Sequence, residues 1–285
     1  METEIKKIVS FICDYMKENE KVVVAVSGGL DSDVVARLCV KALGKEKVKL
    51  FMVLQDDMDE RHINNGRNLA KDLELELSEI DMRGLNVEII KRLMEGDPET
   101  GFSTNNLLDP SRAKCSLRTV LLSSYQDKGY FVAGTSNKTE AELGFFLPFG
   151  DNLAHFKPIV HLYKSEVRNL AQAIGTAPEV IFQPASAGFW KGQEDLEDIA
   201  YWIYNNGPIP AGTRFTGEDD KKVLEIKKHL TTEVVDNCIK DILFQKDKNQ
   251  IAAELQIPVA IVEGIATIMK QAGNTKNREL LKRLA

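Results

Sequence analysis

The sequence predicts an α/β fold, a doubly wound parallel sheet with a helical C-terminal extension. Three observations carry this. Residues 21–26, KVVVAV, are a β-branched run closed by Ser27-Gly28-Gly29, the pattern of a buried strand. Strand and helix patterns then alternate as far as residue 133, the order that builds a parallel sheet with helices on both faces. Beyond Gly192 the strand signal disappears and every periodic segment is helical.

The elements follow in order. Residues 1–21 carry charges every few positions and read as an amphipathic helix, without the apolar core or cleavage site of a signal peptide. After the strand at 21–26, a helix over 33–43 places Val34, Val35, Leu38, Cys39 and Ala42 on one face and stops at Gly44. Strands at 48–54 and 75–80 flank a helix at 60–73, and a short helix covers 86–94. Residues 96–111 contain Gly96, Pro98, Gly101, Asn105, Asn106 and Pro110 and are predicted as loop. A helix at 112–126 leads to a fourth strand at 130–133, and a further helix covers 163–174. The remaining helices fall at 194–206, 219–229, 233–244, 247–255 and 258–272. Residues 1–192 are therefore expected to form the sheet domain and residues 193–285 a helical extension packed on it.

Composition narrows the class. The chain has 285 residues, 43% apolar and 28% charged, the range of a globular protein rather than a disordered chain, a collagen or a coiled coil. No apolar run reaches the ~18 residues of a membrane-spanning helix. A net charge of −6 makes a poor nucleic-acid binder. The four cysteines, Cys13, Cys39, Cys115 and Cys238, form no C-x-x-C pair, which argues for a reducing, cytoplasmic setting. Cys13 and Cys39 read as small core hydrophobes. Cys115 stands between Lys114 and Arg118, cations that would lower its pKa if they point the same way.

The informative segment is VVVAVSGGLDS, residues 22–32. A buried strand ends in Ala25-Val26-Ser27-Gly28-Gly29, and Leu30-Asp31-Ser32 opens a helix. Glycines let the backbone approach an anion closely, and the first N–H groups of the helix favour phosphate oxygens. Ser27 and Ser32 add hydroxyl donors. Asp31 would repel phosphate unless a cation lies between them, and magnesium is the natural bridge. The turn is neither a G-x-x-x-x-G-K-[ST] loop nor a G-x-G-x-x-G fingerprint.

The turn is similar to the pyrophosphate loop of N-type ATP pyrophosphatases. Three further segments sharpen the match: GTSNKTE at 134–140, Gly150-Asp151 followed by PIVHLYKSEVR at 158–168, and PASAGFWKGQED at 184–195. Together, over roughly residues 5–200, they resemble ammonia-dependent NAD synthetase. The resemblance implies an adenine-nucleotide α-hydrolase fold, a homodimer, and ATP and magnesium in the reaction. The carboxylate of deamido-NAD attacks the α-phosphate of ATP, and ammonia then displaces AMP from the acyl adenylate. Asp31 and Glu140 are the implied magnesium ligands. Thr135 and Ser186 match ATP contacts, and Lys164 matches a lysine that reaches the phosphates, so that Asp31 and Lys164 carry the catalytic expectation.

The departures lie on the acid side. Lys114 and Arg118 match the family stretch that holds deamido-NAD, but Ser116 replaces an arginine and Arg112 an asparagine. Pro148 stands where the family has a lysine, and His155 where it has an aspartate. The C-terminal His-Lys-Arg is replaced by NTKNR at 274–278. Two alternatives stay open: the same adenylation and amidation on a different carboxylate, and a sulfur-inserting ATP pyrophosphatase using Cys115. No glutaminase segment is visible, so ammonia is the expected nitrogen donor.

Overall fold

The structure is a computed structural model that describes residues 1–106, 108–147, 150, 153–186, 192–209 and 213–282, with the backbone alone from 274 on. In chain order the elements are α1 (Glu2–Tyr15), β1 (Lys21–Ala25), α2 (Leu30–Leu43), β2 (Val48–Leu54), α3 (Glu60–Asp72), β3 (Leu77–Asp81), α4 (Leu85–Gly96), α5 (Leu108–Asp127), β4 (Tyr130–Ala133), α6 (Lys138–Leu143), α7 (Lys164–Ala173), α8 (Pro178–Ile181), α9 (Asp195–Tyr204), α10 (Gly217–Lys227), α11 (Thr232–Leu243), α12 (Lys248–Leu255) and α13 (Val259–Lys282).

The chain forms two compact units. The first holds Met1–Ser136, Phe146–His161 and Glu166–Gln193; the second holds Asn137–Phe145, Leu162–Ser165 and Glu194–Ala285. Two short segments of the motif-bearing region thus group with the C-terminal helices.

In the first unit the four strands pair in parallel in the order β3-β2-β1-β4, with Val22 opposite Val48 and Val23 opposite Val132. Val23, Phe51 and Val132 pack with Leu122 of α5. Their pleat neighbours Val22 and Val24 point to the opposite face and are equally buried. The chain winds one way from β1 to β3 and the other way to β4. The carboxyl end of β1 therefore opens on a topological switch point, where sheets of this kind bind ligands.

The second unit is helical. Its core is built from Ile199 and Ile203 of α9, Ile239 of α11, Ile251 of α12, and Ile261 and Ile265 of α13. Among the described residues no single helix is long and apolar enough to cross a membrane.

Four local expectations change. The helix after the 96–111 segment begins at Leu108, because Pro110 is tolerated in a first turn and the Asn106 side chain accepts from Asp109 N–H (2.8 Å). Lys138–Leu143 is a helix where only a motif was read, closed by a reciprocal capping box between Asn137 and Glu140. Helix α13 runs well past residue 272. Cys13 is exposed, because the buried stripe of α1 is Ile5, Ile8 and Ile12 and Cys13 lies beside it.

Candidate active site

The turn after β1 is held by its own side chains and by two neighbouring elements. Ser32 Oγ accepts from Ser27 N–H (3.1 Å), lies 3.1 Å from Ser27 Oγ, and donates to Gly29 O (3.0 Å). Ser27 Oγ accepts from Gly29 N–H (3.2 Å). Gly28 has φ +75°, and a Cβ there would lie 1.9 Å from the carbonyl oxygen of His62. Only glycine meets both conditions. The Gly28 carbonyl accepts from Gln183 Nε2 (2.9 Å) and Asn65 Nδ2 (3.3 Å), and Asn65 Nδ2 also reaches Gln183 Oε1 (3.0 Å). The turn is thereby pinned to α3 and to the segment before PASAG. Burial holds the His62 imidazole below its ordinary pKa. Ala25 and Val26 lead into the turn, Val26 still bonded through its N–H to Phe51 O (2.8 Å). Leu30 is buried, and Asp31 is half-buried in the first turn of α2.

Thr135, just past β4, is half-buried, as is Ser186. Gly134 N–H donates to Phe156 O (2.8 Å), which fixes the chain as it leaves the strand.

Glu140 and Lys164 belong to the second unit. Lys164 Nζ lies 4.0 Å from Glu140 Oε1, and both side chains are partly buried. Glu140 accepts from Asn137 Nδ2 (2.8 Å) and Asn137 N–H (3.4 Å).

Three of the expected acid-binding residues, Lys114, Arg118 and His155, are turned toward their own chain. Lys114 is 4% exposed; its ammonium donates to Asp56 O (2.8 Å) and lies 3.7 Å from Asp57 Oδ2. Arg118 donates to Gln55 Oε1 (3.0 Å), and Gln55 Nε2 donates to Lys114 O (3.0 Å). Ser116 is exposed. His155 extends the edge of β4: its Nδ1 accepts from Val132 N–H and its N–H donates to Val132 O, both 2.9 Å. The ring lies 5.0 Å from Phe131, and the carbonyl accepts from the Tyr15 hydroxyl (3.0 Å). Pro148 lies outside the described residues. Cys115 is fully buried, a poor setting for a nucleophile or sulfur carrier.

Among the described residues no group of three or more His, Cys, Asp or Glu side chains could hold a metal. Magnesium bound through one or two carboxylates and substrate phosphates needs no such group. Asp31 at a helix start and Glu140 are carboxylates, oxygen donors of the right type.

The family model described as NAD synthase matches residues 4–207. The chain belongs to the NAD synthase family. It is 31% identical over 277 residues to the NH(3)-dependent NAD(+) synthetase of Thermococcus sibiricus, covering 94% of this chain and 92% of that one. It is 35% identical over 202 residues to the enzyme of the same name from Methanocaldococcus jannaschii, covering 70% and 76%. Family membership makes the chain a carbon–nitrogen ligase of NAD biosynthesis that binds ATP. Two solved structures share the fold. The NMN synthetase of Francisella tularensis superposes with a TM-score of 0.71 at 21% identity, covering 95% of this chain and 93% of that one. The NH3-dependent NAD synthetase of Campylobacter jejuni, in complex with a nitrate ion, gives 0.63 at 23%, with the same coverage.

The NAD synthase motifs located the turn, Glu140 and Lys164. They missed His62, Asn65 and Gln183 behind the turn, and Gln55 and Asp56 beneath the cations. Only Gln183 carried a signal, as the residue directly before PASAG.

Proposed function

We propose that the chain adenylates the carboxylate of deamido-NAD with ATP and then amidates it with ammonia, releasing AMP and pyrophosphate. The observation that carries this is the Ser27–Ser32 turn, pinned through the Gly28 carbonyl at the carboxyl end of β1, within a member of the NAD synthase family. The turn offers the main-chain N–H groups at the start of α2 and the exposed Ser27 hydroxyl to phosphate oxygens, whereas the Ser32 hydroxyl, 2% exposed and donating to Gly29 O, shapes the turn instead of adding the donor its sequence position suggests. Ala25 to Ser32, Thr135 and Ser186 are assigned to ATP. Lys164 stabilises negative charge on the departing pyrophosphate. Asp31 and Glu140 are the carboxylates assigned to magnesium, which when bound neutralises phosphate charge. Lys114 and Arg118 are assigned to the acid substrate. The same reading carries a homodimer, a cytoplasmic setting and ammonia, free or delivered by a partner, as donor.

A second reading, the same chemistry on another carboxylate, is favoured by one observation. Lys114 and Arg118 donate to Asp56 O and Gln55 Oε1, and His155 is tied to Val132. The groups expected to hold deamido-NAD are thus partly committed elsewhere. The deciding assay supplies purified protein, ATP, magnesium and ammonium with either deamido-NAD or nicotinate mononucleotide, the acid matching the product for which the Francisella enzyme is named. NAD formation is expected, with ammonium and not with glutamine. Turnover of the mononucleotide alone would replace the first reading by the second.

A further inference from the structure

Asp236 is a buried acidic side chain that the proposed reaction does not use. It lies in α11, in a stretch where the sequence shows no motif, and it is 0% exposed. A carboxylate buried this way needs its oxygens filled, and both are. Oδ1 accepts from the Thr139 hydroxyl, and Oδ2 accepts from Ser165 N–H at 2.8 Å. Thr139 Oγ1 in turn accepts from Lys164 N–H at 3.0 Å. Beside these runs a main-chain bond from Lys138 N–H to Leu162 O, 2.7 Å. The ring of Tyr163 lies under two ammonium groups, Lys138 at 4.7 Å and Lys240, one turn beyond Asp236, at 4.4 Å.

Thr139 is the neighbour of Glu140, and Ser165 the neighbour of Lys164. One carboxylate therefore joins the first turn of α6 to the first turn of α7, the turns that carry those two side chains. All of these residues belong to the second unit. A Lys–Glu pair 4.0 Å apart has little geometric preference of its own. The bonded backbone beneath it supplies one.

We propose that Asp236 is a positioning residue. It locks the start of α6 against the start of α7 and so holds Lys164 where it meets the pyrophosphate group. This rests on the assignment of Lys164 to the phosphates. It also gives the helical C-terminal region a part in the reaction, through a residue that touches no substrate.

The test is a double-mutant cycle read by calorimetric affinity for magnesium pyrophosphate, which needs no knowledge of the acid. Lys164→Ala is expected to weaken binding at least about tenfold, the scale of a lost charge-assisted contact. Asp236→Asn, which keeps the side-chain volume, is expected to weaken it by a similar factor through misplacement. In the Lys164→Ala background, Asp236→Asn is expected to cost less than about twofold, because its effect passes through that lysine. Thr139→Val should follow Asp236→Asn, and Thr139→Ser should recover most of what Thr139→Val loses. Additive losses overturn the proposal, as does wild-type affinity in Asp236→Asn. If Asp236→Asn does not fold, the Thr139 pair in the two Lys164 backgrounds decides by the same criterion. A silent Lys164→Ala overturns the assignment of Lys164 and the proposal with it. A large Lys164→Ala loss with additivity overturns the proposal alone.

Discussion

The turn that closes β1 and the stretch from Lys114 to Arg118 carry the two halves of the proposed reaction, and they are held in opposite ways. At the turn, support comes from behind. His62, Asn65 and Gln183 grip Gly28 through its missing Cβ and its carbonyl, which leaves the exposed Ser27 and the start of α2 for the phosphates that the proposed reaction assigns to them. At α5 the direction is reversed. Lys114 and Arg118 point their donors inward, to the chain just past β2. An anion site made of backbone needs glycine, small hydroxyls and a helix start, and few sequences supply all three in a row. A site made of long side chains depends on partners far away in sequence, here residues 55–57 for residues 114–118.

Four experiments break or sharpen this contrast. The largest effect is expected at Asp31. Asp31→Ala should lower AMP formation by at least ~100-fold, the scale of removing a major electrostatic element; a loss under tenfold would take Asp31 out of the site. Next comes the grip on the turn. In Gly28→Ala a methyl must occupy left-handed backbone and meet the His62 carbonyl at 1.9 Å. We expect at least ~2 kcal/mol of lost stability by denaturant titration, from strain and displacement together, with ATP affinity falling in parallel. Unchanged ATP affinity would mean that the turn is not the phosphate site.

The third experiment addresses the acid half. Arg118→Ala should raise KM for the acid about tenfold, one charge-assisted hydrogen bond, and leave KM for ATP unchanged. If KM for the acid does not move, Arg118 serves only to hold Gln55. The smallest effect concerns pH. Burial holds the His62 pKa below its ordinary 6.5, so the unfolded chain takes up this proton first as pH falls. The contribution of neutral His62 is complete above about 6.5, is lost as pH drops through that value, and levels off below the folded-state pKa. His62→Gln should flatten the fall in Tm between about pH 7.5 and 5.5. An unchanged pH slope would place the dependence elsewhere.

The legibility of the chain follows the same division. The strands at 48–54 and 130–133 were readable to the residue, because buried parallel strands are short apolar runs between turn residues. Helices α9 to α12 were readable from their period, and α13 as far as residue 272. The start of α5 was not, since Pro110 looks like a breaker until Asn106 is seen to cap the turn. Helix α6 was hidden because Asn137 and Glu140 serve both as a capping box and as part of a motif. Within the site, Ser27 to Ser32 could be named from adjacent letters. Asn65 and Asp236 could not, because each meets its partner only after the chain has folded, across 37 and 97 positions respectively.

Adenylation of the acid is the central claim, and isotope transfer tests it most directly. The acid substrate is labelled with oxygen-18 in its carboxylate and turned over with unlabelled ATP, magnesium and ammonium, and the products are separated for mass spectrometry. If a carboxylate oxygen attacks the α-phosphate and ammonia then displaces AMP, AMP carries one labelled oxygen, the amide keeps the other, and pyrophosphate has none. Label in inorganic phosphate, with ADP as the other product, would contradict the account, because it places the attack on the terminal phosphate.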